Sequence, residues 1–192
     1  MKVLLINGSP QKNGNTKAAL KIMQEVFEQN KVDVEILQLG GINIHGCSGC
    51  RTCWKTKNKK CVLNDDLTPI MDKCFQNDVG AIVIGSPTYF ANVTTEVKAF
   101  IDRVGFVAKA NDGILKDKIG APVVIHRRAG ATFAYSAINY FFGINEMPIA
   151  TSIYWNLGVA RKPGDLGRDE EGVQTFQKLT QNIIGLLNKI KI

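Results

Sequence analysis

The sequence predicts an α/β protein: a doubly wound, five-stranded parallel sheet in the order 2-1-3-4-5, with residues 1–192 forming one domain. Three observations lead there. Short, wholly apolar runs recur along the chain, and turn residues close each of them. Most are followed by apolar residues at helical spacing. The 192 residues, 45% of them hydrophobic and 21% charged, suit one well-buried core and exclude fibrous, low-complexity and disordered classes.

Lys2–Ile6 (KVLLI) reads as a buried first strand, ended by Asn7-Gly8-Ser9-Pro10. Ala18, Ala19, Ile22, Met23, Val26 and Phe27 then mark one face of a helix. Val32, Val34 and Ile36 alternate with Asp33 and Glu35, the pattern of a half-exposed edge strand. Val79–Ile84 (VGAIVI) and Gly120–Ile125 (GAPVVI) are further buried strands, followed by helical periodicity over Val97–Val107 and Thr132–Phe142. Ile149–Tyr154 is the candidate fifth strand, and Val173–Ile190 the closing helix. No apolar run reaches the roughly 20 residues of a membrane span. The apolar stretch at the amino terminus is too short for a signal peptide, so a cytoplasmic chain is expected.

The loop Asn7–Thr16 joins a strand to a helix start, where free amides and the helix dipole attract anions. Ser9, Asn15 and Thr16 can add hydrogen bonds, and Lys12 or Lys17 charge. It carries neither a Walker A ending nor GxGxxG, which argues against ATP and dinucleotides. The plain alternative is a Gly/Asn turn with Asn15 or Thr16 as helix cap.

Four of the five cysteines fall in a C-x2-C-x2-C-x7-C array, Cys47, Cys50, Cys53 and Cys61, within a cysteine-rich loop over 45–64. Such close spacing favours an iron–sulfur cluster. Zinc, which prefers two separated pairs, and plain thiols or a redox disulfide are the alternatives. Cys74 reads as a packed core residue and His45 as a turn residue. Arg51, Lys55, Lys57, Lys59 and Lys60 form a basic run without an acid, within a chain of formal net charge +7. The plain alternative for that run is a solvated loop. No side chain stands out as a general acid or base, and no catalytic residue is assigned.

Gly8-Ser9-Pro10…Gly14-Asn15-Thr16, paired with Gly85-Ser86-Pro87-Thr88-Tyr89-Phe90-Ala91-Asn92-Val93, resembles the NADPH-dependent FMN reductase superfamily, whose fold is flavodoxin-like. The resemblance implies an FMN phosphate on the first loop, at Ser9, Pro10, Gln11, Asn13, Asn15 and Thr16. It implies the flavin ring and ribityl chain against Pro87, Thr88, Tyr89, Phe90 and Asn92. Arg127, Ala129 and Gly130, after the fourth strand, would complete the surroundings of the ring. For Arg127 and Arg128 the plain alternative is surface charge.

Together with the cysteine array, these loops are similar to the iron–sulfur flavoproteins of that superfamily. That likeness implies FMN, one [4Fe–4S] cluster held by Cys47, Cys50, Cys53 and Cys61, and a homodimer or a tetramer built from dimers. The expected role is electron transfer between a one-electron donor, such as ferredoxin or a similarly acidic protein, and a small-molecule two-electron acceptor. The alternative is an NAD(P)H-dependent FMN, quinone or nitro-compound reductase with idle thiols. More remote is a zinc-stabilised nucleic-acid-binding module, although no nucleic-acid-reading motif is present and neither nucleic acid nor membrane is expected as a partner.

Overall fold

The computed structural model describes residues 1–190. Its single sheet contains β1 (Lys2–Asn7), β2 (Asp33–Gln38), β3 (Val79–Pro87), β4 (Ile119–His126) and β5 (Leu157–Val159), all parallel and in the order β2-β1-β3-β4-β5. This is the predicted order. Helices α1 (Asn15–Gln29) and α6 (Glu170–Ile190) cover one face. Helices α3 (Leu67–Cys74), α4 (Thr95–Ala110) and α5 (Ala131–Ile144) cover the other. A short α2 (Thr52–Thr56) lies inside the cysteine loop.

Alternation along β1 explains why its sequence is apolar throughout. Val3 and Leu5 enter the layer under α1 and α6, whereas Leu4 and Ile6 enter the layer under α4 and α5. A strand buried on both faces has no polar side to show. Strand β2 lies at the edge and keeps its charges: Glu35 pairs with Lys2 at 2.7 Å and with Lys73.

The fifth strand departs from expectation. Ile149 makes an isolated bridge to Gly120, and the Ala150 amide donates to the Gly120 carbonyl at 2.8 Å. The chain then leaves the sheet, and β5 forms at Leu157–Val159 opposite Val124–His126. Ile153, Tyr154 and Trp155 are each more than half exposed, so the apolar run that suggested a strand is surface. Polar side chains fasten this stretch to α6 instead: Ser152 Oγ donates to the Thr175 carbonyl and Asn182 Nδ2 to the Thr151 carbonyl, both at 2.7 Å. Among the described residues no helix is long and apolar enough to cross a membrane.

Candidate functional site

Because β1, β3 and β4 are neighbours, the loops leaving their carboxyl ends stand side by side, where an open parallel sheet offers a crevice. The first of these is tied down from several directions. Asn7 Oδ1 accepts from the Ser9 amide (3.3 Å), and Ser9 Oγ accepts from the Gln11 amide (3.2 Å). Gln38 Nε2 donates to the carbonyls of Ser9 (2.8 Å) and Gly40 (2.6 Å). Thr94 Oγ1, from the start of α4, donates to the Gly8 carbonyl at 2.8 Å. Ser9 and Thr16 are buried, while Pro10, Gln11 and Asn13 are exposed at the rim.

Helix α1 starts without a side-chain cap. Gly14 occupies the N-cap position, no acid lies in the first turn, and the amides of Asn15, Thr16 and Lys17 have no acceptor among the described residues. Neither Asn15 nor Thr16 is the cap. The Asn15 carboxamide reaches across the molecule instead: Nδ2 donates to the Lys162 carbonyl (2.8 Å), while Oδ1 accepts from the amides of Gly164 (3.1 Å) and Leu166 (3.3 Å). Its side chain therefore braces the segment after β5, and its backbone N–H stays free. Burial and the nearby Lys21 hold the Lys17 ammonium below its ordinary pKa. Free amides, the helix dipole and two lysines leave this loop with unspent donors and positive charge.

The second loop turns back on itself through paired hydrogen bonds between Tyr89 and Asn92, at 2.9 and 3.0 Å. Phe90 (φ 47°) and Ala91 (φ 60°) both take the left-handed conformation, which costs side-chain-bearing residues about 1–2 kcal/mol each. The turn holds the Phe90 ring fully in solvent beside the crevice. The Thr88 amide donates to the Ile125 carbonyl at 2.8 Å, which ties this loop to β4. The third loop, His126–Gly130, packs directly against it. At Gly130 (φ 83°) an added Cβ would stand 2.9 Å from the Ala91 Cα and Cβ, so glycine allows the contact. Arg127 and Ala129 are exposed there.

Two buried polar atoms at this edge, Thr88 Oγ1 and His126 Nδ1, have no partner among the described residues. Buried polar atoms rarely stay unsatisfied. Together with the exposed rings of Tyr89 and Phe90 and the uncapped α1, they fit a planar heterocycle carrying a phosphate. The predicted flavin residues thus lie on three adjacent loops, except that the Asn15 side chain is turned away toward residues 162–166.

The four array cysteines line one cavity of about 170 Å³, closed on the α4 side by Arg103 and Phe106. Cys47 and Cys50 are exposed; Cys53 and Cys61 are half-buried. Gly49, Arg51, Lys57 and Lys59 have positive φ, and their left-handed turns wrap the loop around α2. Among the described residues, no three His, Cys, Asp or Glu side chains converge on a single metal-ion position. The Thr52 hydroxyl and amide, with the Ser48 hydroxyl, bring the Cys50 thiol down to about 7. Burial pushes the Cys53 thiol up. Cys74 packs in the core, as the sequence reading has it, and burial raises its thiol to about 12.

Sequence reasoning missed the pair that closes this loop. Asp65 Oδ2 accepts from the His45 amide (2.9 Å) and from Arg103 Nη1 (2.6 Å), with both side chains almost fully buried. The signal was present: Arg103 falls on the same α4 face as Phe100 and Val107.

The fold defines a doubly wound, flavodoxin-like α/β protein, with a crevice over the ends of β1, β3 and β4 and a second, thiol-lined cavity beside α4. Residues 1–162 match the NADPH-dependent FMN reductase family. An iron–sulfur flavoprotein of Archaeoglobus fulgidus is 35% identical over 206 residues, covering 100% of this chain and 98% of the relative. One from Methanocaldococcus jannaschii is 29% identical over 203 residues, covering 100% of both. The structure of an archaeal flavodoxin shares the fold, with a TM-score of 0.59 at 19% identity and 100% coverage of each chain. This chain belongs to the NADPH-dependent FMN reductase family, in its iron–sulfur flavoprotein branch, and is an FMN-dependent oxidoreductase.

The two thiol environments predict a pH profile. In metal-free protein, alkylation of Cys50 should rise about tenfold per pH unit up to about 7 and then level off, because the thiolate is the nucleophile. Cys53 should respond only at higher pH. Per-residue mass spectrometry of iodoacetamide-treated samples checks this; equal rates for the two at pH 7 would contradict it.

Proposed function

We propose that this protein is an electron-transfer oxidoreductase in which Cys47, Cys50, Cys53 and Cys61 hold a [4Fe–4S] cluster and the loops after β1, β3 and β4 hold FMN. Bound together, a flavin exchanges electrons in pairs and a cluster passes them singly, which makes the protein a converter between the two kinds of chemistry. The observation that carries this reading is the set of four thiols around one cavity, in a chain whose uncapped α1 start adjoins the loops after β3 and β4. Four cysteines line that cavity, three of them at two-residue gaps, a spacing that suits a cluster of several atoms better than the separated pairs of a zinc site.

The chain's own residues have definable parts in this. The free amides of Asn15, Thr16 and Lys17 would bind the phosphate, and Lys12 would add charge at the rim. Tyr89 and Phe90 would cover the ring and exclude water from one face. Thr88 Oγ1 and His126 Nδ1 would find their missing partners in the ring's polar edge. Arg127 would place positive charge near the ring, and Pro87, Asn92, Ala129 and Gly130 would shape the pocket. On the other side, Arg51, Lys55, Lys57, Lys59 and Lys60 are exposed around α2. They supply a positive field that steers an acidic protein such as ferredoxin to the cavity. A small-molecule acceptor would reach the flavin from the open side of the crevice.

A groove between α4 and α5, lined by Trp54, Phe106, Tyr140 and Ile144 among others, leaves a large apolar surface exposed next to the cavity. This face supports self-association with a second copy, as the iron–sulfur flavoprotein resemblance implies. The match to NADPH-dependent FMN reductases favours a second reading, direct reduction by NAD(P)H with the thiols idle.

Three outcomes follow. Protein purified without oxygen should contain about four iron and four sulfide per FMN and absorb broadly near 400 nm beside the flavin bands. A flavin spectrum without iron or sulfide, bleached rapidly by NAD(P)H, would favour the reductase reading. Reversing Lys57, Lys59 and Lys60 to Glu should slow reduction by ferredoxin roughly tenfold or more at low salt and much less at high salt; an unchanged rate at low salt would remove the steering role. Tyr140→Glu with Ile144→Glu should lower the native mass measured by light scattering, and an unaltered mass would place the interface elsewhere.

A further inference from the structure

Helix α4 carries a guanidinium where its periodicity calls for an apolar side chain. Arg103 lies one turn after Phe100 and one turn before Val107, both in the core, and its side chain has no exposed surface. Burying an ion in this way costs several kcal/mol unless its donors are met. Nη1 donates to Asp65 Oδ2 (2.6 Å) and to the His45 carbonyl (3.1 Å), and Nη2 donates to the Leu63 carbonyl (2.8 Å). These acceptors flank the cysteine loop on both sides: His45 just precedes Cys47, whereas Leu63 and Asp65 just follow Cys61. Nε is also buried, and it has no acceptor among the described residues. Arg103 and Cys61 share the wall of the thiol cavity.

We propose that Arg103 is the positioning residue of the thiol cavity: it clamps both ends of the cysteine loop and presents its unused N–H to the Cys61 sulfur, holding that sulfur as a ligand. The proposal rests on the cluster reading above. A hydrogen bond to a ligating sulfur withdraws electron density and raises the reduction potential of the group it holds. Lysine cannot replace it, because a point charge has no planar fork to span three acceptors.

The test compares wild-type protein, Arg103→Lys and Arg103→Met, each prepared without oxygen and with FMN bound. In Arg103→Lys the midpoint potential of the iron–sulfur signal, followed by electron paramagnetic resonance, should shift to lower values while FMN content stays at the wild-type level. A loaded Arg103→Lys protein with an unchanged potential overturns the contact to Cys61, whatever happens to its melting temperature. If Arg103→Lys keeps FMN but loses iron, as Cys61→Ser should, the positioning role is supported. Metal-free protein gives a readout independent of the cluster. Hydrogen exchange of the Asn43, His45 and Asp66 amides, which close the loop, should accelerate roughly tenfold in either folded variant. Unchanged exchange overturns the clamp. Wild-type protein lacking both iron and sulfide sinks the cluster reading instead, and leaves the exchange result to decide the clamp.

Discussion

The crevice depends on how closely β1 and β3 leave the sheet together. The Gly8 amide donates to the Gly85 carbonyl at 2.8 Å, and the Gly8 carbonyl accepts from the Thr94 hydroxyl at the start of α4, also at 2.8 Å. A side chain at Gly8 would drive into Val97 and the Gly85 carbonyl, so nothing larger fits between the two strand ends. Thr94 also caps α4 by accepting from the Val97 amide at 3.3 Å. One hydroxyl therefore couples the β1 loop to the helix that carries Arg103. The β1 loop and the thiol cavity share α4 as a mount.

The two sites solve opposite electrostatic problems. The crevice keeps donors unspent: the first-turn amides of α1 and two buried polar atoms await a partner. The thiol loop is built to neutralise its surroundings. Asp65 offsets the one buried guanidinium, and the exposed lysines of the loop lie over a site whose deprotonated sulfurs would be strongly negative. Cys50 shows that bias already, since hydroxyl and amide donors stabilise its thiolate.

Much of this was legible in the sequence, and the exceptions share a cause. The buried strands followed from runs such as KVLLI and VGAIVI because burial on both faces leaves a direct trace in composition, and their order from the right-handed crossovers of a doubly wound sheet. The cysteines and the two glycine-rich turns were visible because each is local. The fifth strand was not, because hydropathy cannot tell an exposed Ile153-Tyr154-Trp155 surface from a buried run, and the three residues of β5 are too few to show a period. Arg103 was hidden for the complementary reason: a charge on an apolar stripe reads as an interruption until its partners, 38 to 58 residues away in sequence, are known. The Asn15 side chain was assigned to the phosphate by its place in a motif, and only its distant contacts show what it holds.

Those contacts bear on when the crevice comes into being. Asn15 bonds to groups 147 to 151 residues farther along the chain. During synthesis the amino-terminal strand, its loop and α1 emerge long before the segment that steadies them. Helix α6 then closes the face that α1 only half covers. The crevice at the β1 loop is therefore completed late, once the last quarter of the polypeptide has left the ribosome and folded back. A nascent chain that ends before Lys162 lacks every group that braces the Asn15 side chain.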